Sequence, residues 1–435
     1  MFSASKALVC LSALLSLAAA ASTASAATFC VNIPSNPTCT PASTISNAVA
    51  IAAPGDTVLV GPGTYAEQVT ITQQISIVAP TAGAIINATG KDHGIFINGI
   101  ASTPNPGVHN VIISGLEVEN ANYEGILVAS ATNISLIGNH VHNNDKKLTS
   151  PTCPGSAPYE TNEGQDCGEG IHFMGVDHSN ITRNLVENNS GGILMTDETG
   201  ATFENTVSDN TVRDNGYACG ITMASHPAAN ASGALTGVPD YGLWRNTISG
   251  NTSYNNGTLI PGTGAGIGIF APGPGSTNTA NVIIGNNIYS NGATGIAMHN
   301  HAPTGGMAPP IYFNDNQIIG NTIHSNAADS NDAHTAGPTG IDIYSLTPIT
   351  GTVIEKNTFY DETLDIVFNT PAASTLITHF NDFIGNDTGI DNVGAGTIDG
   401  TENWWNCPTG PSASCAKATG STFPTQPVMI TPYTY

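Results

Sequence analysis

Three ionisable residues, His93, Glu124 and Glu169, each stand immediately before a Gly-Ile dipeptide. If those dipeptides mark one point on successive structural repeats, the three side chains form a column with steps of about 4.8 Å. Two carboxylates that close should couple, one being pushed toward its protonated form. That suits an acid/base pair or a cation between Glu124 and Glu169, with calcium the expected ion. Two residues after the glycine, His172 and Asp342 flank Leu194, Thr222, Gly268 and Ala297, so small residues leave the middle of that strand face open. Six residues after it come Val176, Glu198, His226, Pro272, His301 and Leu346, with Asp197 beside Glu198 and His299 beside the same column. Glu198, His226 and His301, joined by Asp197, His172 and Asp342, form the first candidate catalytic set. His93, Glu124 and Glu169 form the second. The bland reading of both is loop-base hydrogen bonding or structural capping.

These columns exist only if the chain is a stack. The Gly-Ile pair recurs at Gly94, Gly125, Gly170, Gly192, Gly220, Gly266, Gly295 and Gly340, with Gly389 a weaker copy. A second motif, Asn-x-(apolar or small)-x-x-(Asn or Glu), starts at Asn139, Asn184, Asn210, Asn251, Asn286, Asn321 and Asn357. A unit this short cannot close its own core, but stacked copies bury a continuous interior of Ile, Val, Leu and Phe. Asparagines at one corner of each turn can hydrogen-bond their neighbours above and below. Irregular insertions and scarce hairpin signals argue against a propeller or sandwich. The reading is a parallel β-solenoid. Residues 44–53 predict a short amphipathic helix closing its first coil. Segments 143–168 and 326–339 arrive just before the Gly-Ile strand, and 225–241, 270–279 and 301–311 leave just after it, walling a groove across the coils.

Composition narrows the partners. Only 9% of the 435 residues are charged, and the formal net charge is −23. Nucleic-acid binding needs a basic face, and nine Lys and Arg cannot build one. Residues 1–26 read as a secretory signal with an apolar stretch ending in Ala24-Ser25-Ala26, giving a secreted or periplasmic protein with no membrane span in the mature chain. Export makes Cys30 with Cys39, Cys153 with Cys167, and Cys407 with Cys415 three short-loop disulfides. Cys219 is left as a buried, inert thiol. The expected layout is a signal peptide at 1–26, an N-terminal cap with a helix at 27–56, coils at 57–400 and a C-terminal cap at 401–435, where Trp404-Trp405 packs.

The opening ISNAVAIAAPGDTVLVGPGTYAEQVTI, the Gly-Ile and Asn-x-Val coils and the closing GTENWWNCPTGP resemble secreted right-handed parallel β-helix proteins of the pectate-lyase-like superfamily. The resemblance covers nearly all of the mature chain and implies an all-β, right-handed parallel β-helix with a cleft along one sheet between loops. It is specific for fold and weak for function, because the superfamily spans lyases, hydrolases, epimerases, tailspikes, adhesins and a copper-insertion factor. The Arg-centred pattern of pectate lyases and the Asn-Thr-Asp, Asp-Asp and Arg-Ile-Lys set of polygalacturonases are both missing. Arg183, Arg213, Arg245 and Lys356 lie in or beside the Asn-motif strands, away from the groove strand. A uronate lyase would need a bound cation instead, and the acidic chain would repel a polyanion. The expectation is a carbohydrate-active protein acting on a polysaccharide or cell-surface glycan, a glycoside hydrolase more than a lyase. The alternatives are a non-catalytic glycan-binding or structural β-helix and a periplasmic metal-handling one.

Overall fold

The Asn motif folds the chain because each copy turns a corner and satisfies that corner's backbone. The computed structural model describes residues 26–33, 38–100, 107–145, 168–225, 241–300, 310–385 and 387–433. Within them one buried ladder runs Asn139, Asn184, Asn210, Asn251, Asn286, Asn321, Asn357, Asn381 and Asn403, each Oδ1 from Asn184 on accepting from the backbone N–H of the asparagine before it and that of Asn139 accepting from the Leu116 N–H. The Nδ2 of Asn210, for instance, donates to Asn251 Oδ1 at 2.9 Å and to the Ile181 carbonyl at 2.9 Å. The motif's last position forms a second ladder, Asn144, Asn189, Asn215, Asn256, Asn291 and Asn326, which ends on Glu362. A third, Asn205, Asn246, Asn281 and Asn316, lies five residues before the first. The residue before a first-ladder asparagine repeatedly has positive φ, supplied by Gly138, Gly250, Gly285 and Gly320 where glycine is present and by Arg183, Asp209 and Lys356 elsewhere.

Between corners the strands pair in parallel, register to register. One sheet has 11 strands, from Gly63–Tyr65 to Asp382–Ile384. The other, with 28 strands, contains three ladders: Ile126–Ile137 is long enough to pair in the groove ladder and in a second one, and Glu169–Asp177 joins the groove ladder to a short third one through Thr202–Phe203. The groove ladder runs from Val69–Ile71 through Glu169–Asp177, Gly191–Thr196, Ile221–Ala224, Ile267–Phe270, Ile296–Asn300 and Thr339–Ser345 to Lys417–Gly420. Alternation on its strands sends Ile193, Met195, Ile267 and Ile269 into one continuous core. The architecture is the all-β, right-handed parallel β-helix.

The ends add staples. The expected helix forms as Ile45–Ile51, N-capped by the Thr44 side chain and burying Ile45, Ala48 and Val49. Cys30–Cys39 and Cys407–Cys415 are disulfide-bonded, whereas Cys153 and Cys167 lie outside the described residues. Trp405 is fully buried against Phe383 with ring centroids 4.9 Å apart. Among the described residues, no helix is long and apolar enough to cross a membrane.

Candidate active site on the groove ladder

The column before the Gly-Ile pair is real. Register places Glu124 beside both His93 and Glu169, and Glu169 pairs directly with Gly191. His93 Nδ1 lies 2.7 Å from Glu124 Oε2, both side chains being buried. Burial pushes the Glu124 carboxyl up, but the His93 hydrogen bond and charge, with His172 nearby, outweigh it and hold the group down at about 2. The expected protonation of one stacked carboxylate therefore does not fall on Glu124, because an imidazole supplies the neutralising charge. Gly191 leaves this carboxylate its space: a Cβ there would stand 3.1 Å from Glu169 Oε1 and make the side chain shift.

His172 joins the two candidate sets. Its ring nitrogen and the carboxylates of Glu124 and Glu169 lie within 4.8 Å of one another. His172 Nε2 also meets Thr196 Oγ1 at 2.8 Å, and that hydroxyl donates to Glu198. Glu198 thus belongs to this cluster by a route that equal offsets did not show. The six-residue column itself fails, since Asp177 pairs with Phe203 and the Val176 N–H donates to Thr202 Oγ1. Residues 197–201 turn out of the ladder, so Glu198 does not stack on Val176. Asp197 is fully buried, accepting from the Gly242 N–H at 2.6 Å and from Ser225 Oγ at 3.3 Å, contacts that tie those two segments to its coil. His226 and His301 lie outside the described residues.

Asp342 anchors a second cluster. It pairs directly with Ala297, which places it diagonally across from His299. His299 Nε2 lies 2.9 Å from Asp342 Oδ2 and 3.8 Å from Asp329 Oδ2, and all three residues are buried. Burial pushes Asp342 up to about 6 against the pull of His299. For His299 burial works the other way, yet the charge and hydrogen bond of Asp342 raise its pKa. The sequence reading placed His299 only beside a column and missed Asp329, which arrives on the 326–339 insertion and carries no periodic signal.

A cavity of about 320 Å³ joins the clusters. Its lining includes Glu169, Leu194, Thr222, Ala297, His299 and Asp329, so the small-residue floor lies where the sequence left the face open. The Phe270 ring folds over Gly268, where a Cβ would meet it at 2.3 Å. Cys219 also lines the cavity, its thiol pushed up to about 11 by burial, consistent with an inert group. From Glu169 to His299 is four ladder steps, about 19 Å along the stack at the usual strand spacing, to which a five-residue offset along the strand adds. The clusters are therefore too far apart to serve one glycosidic bond, which needs its two carboxyls about 5–10 Å apart.

Residues 83–244 match a family model described as a right-handed β-helix region. No curated protein matches the chain. Among solved structures, the Dettilon tailspike protein superposes with a TM-score of 0.55 at 14% identity, over 85% of this chain and 62% of its own. An alginate lyase from Paenibacillus sp. gives 0.49 at 15% identity over 74% of this chain and 94% of its own. The A-module of a mannuronan C-5 epimerase from Azotobacter vinelandii gives 0.45 at 15% over 88% and 93%. Likeness at such identity speaks for architecture. The chain is a right-handed parallel β-helix protein, and the pectate-lyase-like superfamily that its sequence resembles fits that architecture.

Proposed function

We propose that this is an exported carbohydrate-active enzyme that cleaves a polysaccharide lying across the coils. The observation that carries the reading is the cavity on the groove ladder, with the buried His299–Asp342–Asp329 centre at one end and Glu169 at the other. His299 is the proton-transfer group, oriented and kept basic by Asp342; Asp329 lines the cavity beside it. The Glu169–His172–Glu198 cluster binds the distal part of the chain. The two disulfides support an oxidising compartment.

Hydrolysis is the first reading, because among the described residues that line the cavity none is a Lys or Arg that would neutralise a uronate carboxylate. Elimination is the second, favoured by the compactness of the centre: one oxygen each of Asp329 and Asp342 lies within 4.8 Å of a His299 ring nitrogen, closer than the about 6.5–9.5 Å that an inverting hydrolase keeps between its two carboxyls. The expected calcium does not fit the Glu124–Glu169–His172 cluster well, since two carboxylates and an imidazole fall short of its six to eight oxygen ligands. The test is digestion of a polysaccharide panel, with and without EDTA, by wild type, His299→Ala and Asp342→Asn. Loss of turnover in both variants, with glycan binding retained, supports the assignment. Wild-type turnover unchanged in both sinks it.

A further inference from the structure

We propose that His140, His142 and Glu117 form a binding site for a divalent transition-metal ion, zinc by donor chemistry, on the 11-stranded sheet away from the groove. The strand His140–His142 presents a His-x-His pair on one face, because alternate residues of a strand point the same way. The two imidazoles lie parallel, ring centroids 4.1 Å apart. Register sets Glu117 opposite His140, and both Glu119 and Glu187 opposite His142. His142 Nε2 lies 3.0 Å from Glu117 Oε1 and 4.0 Å from Glu119 Oε2. One ligand atom each from Glu117, His140 and His142 falls within a mutual 4.8 Å. Tetrahedral zinc, with bonds near 2.0–2.1 Å, brings its ligands to about 3.4 Å from one another, a contraction that side-chain rotation supplies on a half-exposed face.

Surrounding contacts favour metal over simple ion pairing. Arg213 occupies the other oxygen of Glu187, whose Oε1 faces His140 Nε2 at 3.0 Å. Asn143 lies 2.8 Å from His142 Nδ1, and its amide can be turned to accept that nitrogen's proton, leaving Nε2 for the ion. Asn87 Nδ2 donates to Glu119 Oε1 at 2.7 Å, which orients the Glu119 carboxylate as a fourth ligand. Glu117, Glu119 and Glu187, with Arg213 shared between Glu187 and Asp214, leave this patch negative, which favours a divalent cation. Two imidazoles select a transition metal over calcium or magnesium. Bound there, the ion ties neighbouring coils together and takes no part in groove chemistry.

Equilibrium dialysis against zinc at pH 7.5, followed by metal analysis, tests this on the full chain with wild type, His140→Ala/His142→Ala and Glu117→Gln. The expected result is one zinc more per chain in wild type than in the double variant, affinity at least tenfold weaker in Glu117→Gln, and a zinc-dependent rise in Tm confined to wild type. Equal zinc content in wild type and the double variant overturns the proposal, as does wild type that retains none. Should the double variant fail to fold by circular dichroism, Glu117→Gln decides: unchanged zinc affinity overturns the site.

Discussion

Glu362 closes a ladder that asparagine builds everywhere else, and the substitution Glu362→Gln shows what that costs. Its Oε1 accepts from the Asn326 backbone N–H at 3.0 Å and from Asn326 Nδ2 at 2.8 Å, while its other oxygen is buried without a hydrogen-bond partner. Burial pushes its carboxyl from 4.5 up to about 8, partly opposed by the Asn326 hydrogen bonds, and Asp361 and Asp387 add to the rise. Because the folded pKa lies above the unfolded one, the folded state keeps a proton that the unfolded chain releases. The stabilisation is complete below about pH 4.5 and is gone once pH has risen through about 8. At 1.36 kcal/mol per unit, that shift amounts to about 5 kcal/mol across the window. Gln keeps the shape and the acceptor but cannot ionise. Urea unfolding from pH 4.5 to 8.5 should therefore show wild type losing stability relative to Glu362→Gln by about one proton's slope, most of it before pH 8. Parallel curves for the two proteins would refute the reasoning.

Other consequences follow from the same contacts. Asn251→Ala strands the Asn210 N–H and amide and the Val207 carbonyl inside the stack, and should cost about 3 kcal/mol in urea unfolding. His93→Ala leaves Glu124 buried without its partner and should cost about 3–5 kcal/mol at pH 7. Since the folded pKa of Glu124 is depressed to about 2, the pair stabilises above pH 4.5 and its contribution fades as pH falls toward 2, so the deficit of His93→Ala should shrink in acid. Turnover should fall as pH drops through about 6, where Asp342 takes up a proton and loosens its hold on His299; Asp342→Asn should be slow throughout, with no such step.

The stack was legible because its determinants are periodic. Asn139, Asn184 and Asn210 announce two ladders, and the third at Asn205 and Asn246 carried a signal that went unread: the same residue type five positions earlier. The column of His93, Glu124 and Glu169 was legible because strand pairing is in register there. Offsets failed at Glu198, since residues 197–201 leave the ladder and equal sequence distance no longer means equal position in space. Asp329 was invisible, because an insertion places it and no repeat constrains an insertion. The His299–Asp342 contact is diagonal, joining two columns that reading one offset at a time keeps apart.

The central claim is that a glycan chain lies across the coils and is cut at His299. Mass spectrometry of oligosaccharides released from a polysaccharide panel tests it most directly. The account predicts shortened chains from wild type, each cleavage adding one water, and none from His299→Ala. Products lacking that water and carrying a new double bond would replace hydrolysis by elimination at the same centre. Release of no oligosaccharide from any glycan by wild type, or equal release by His299→Ala, would contradict it.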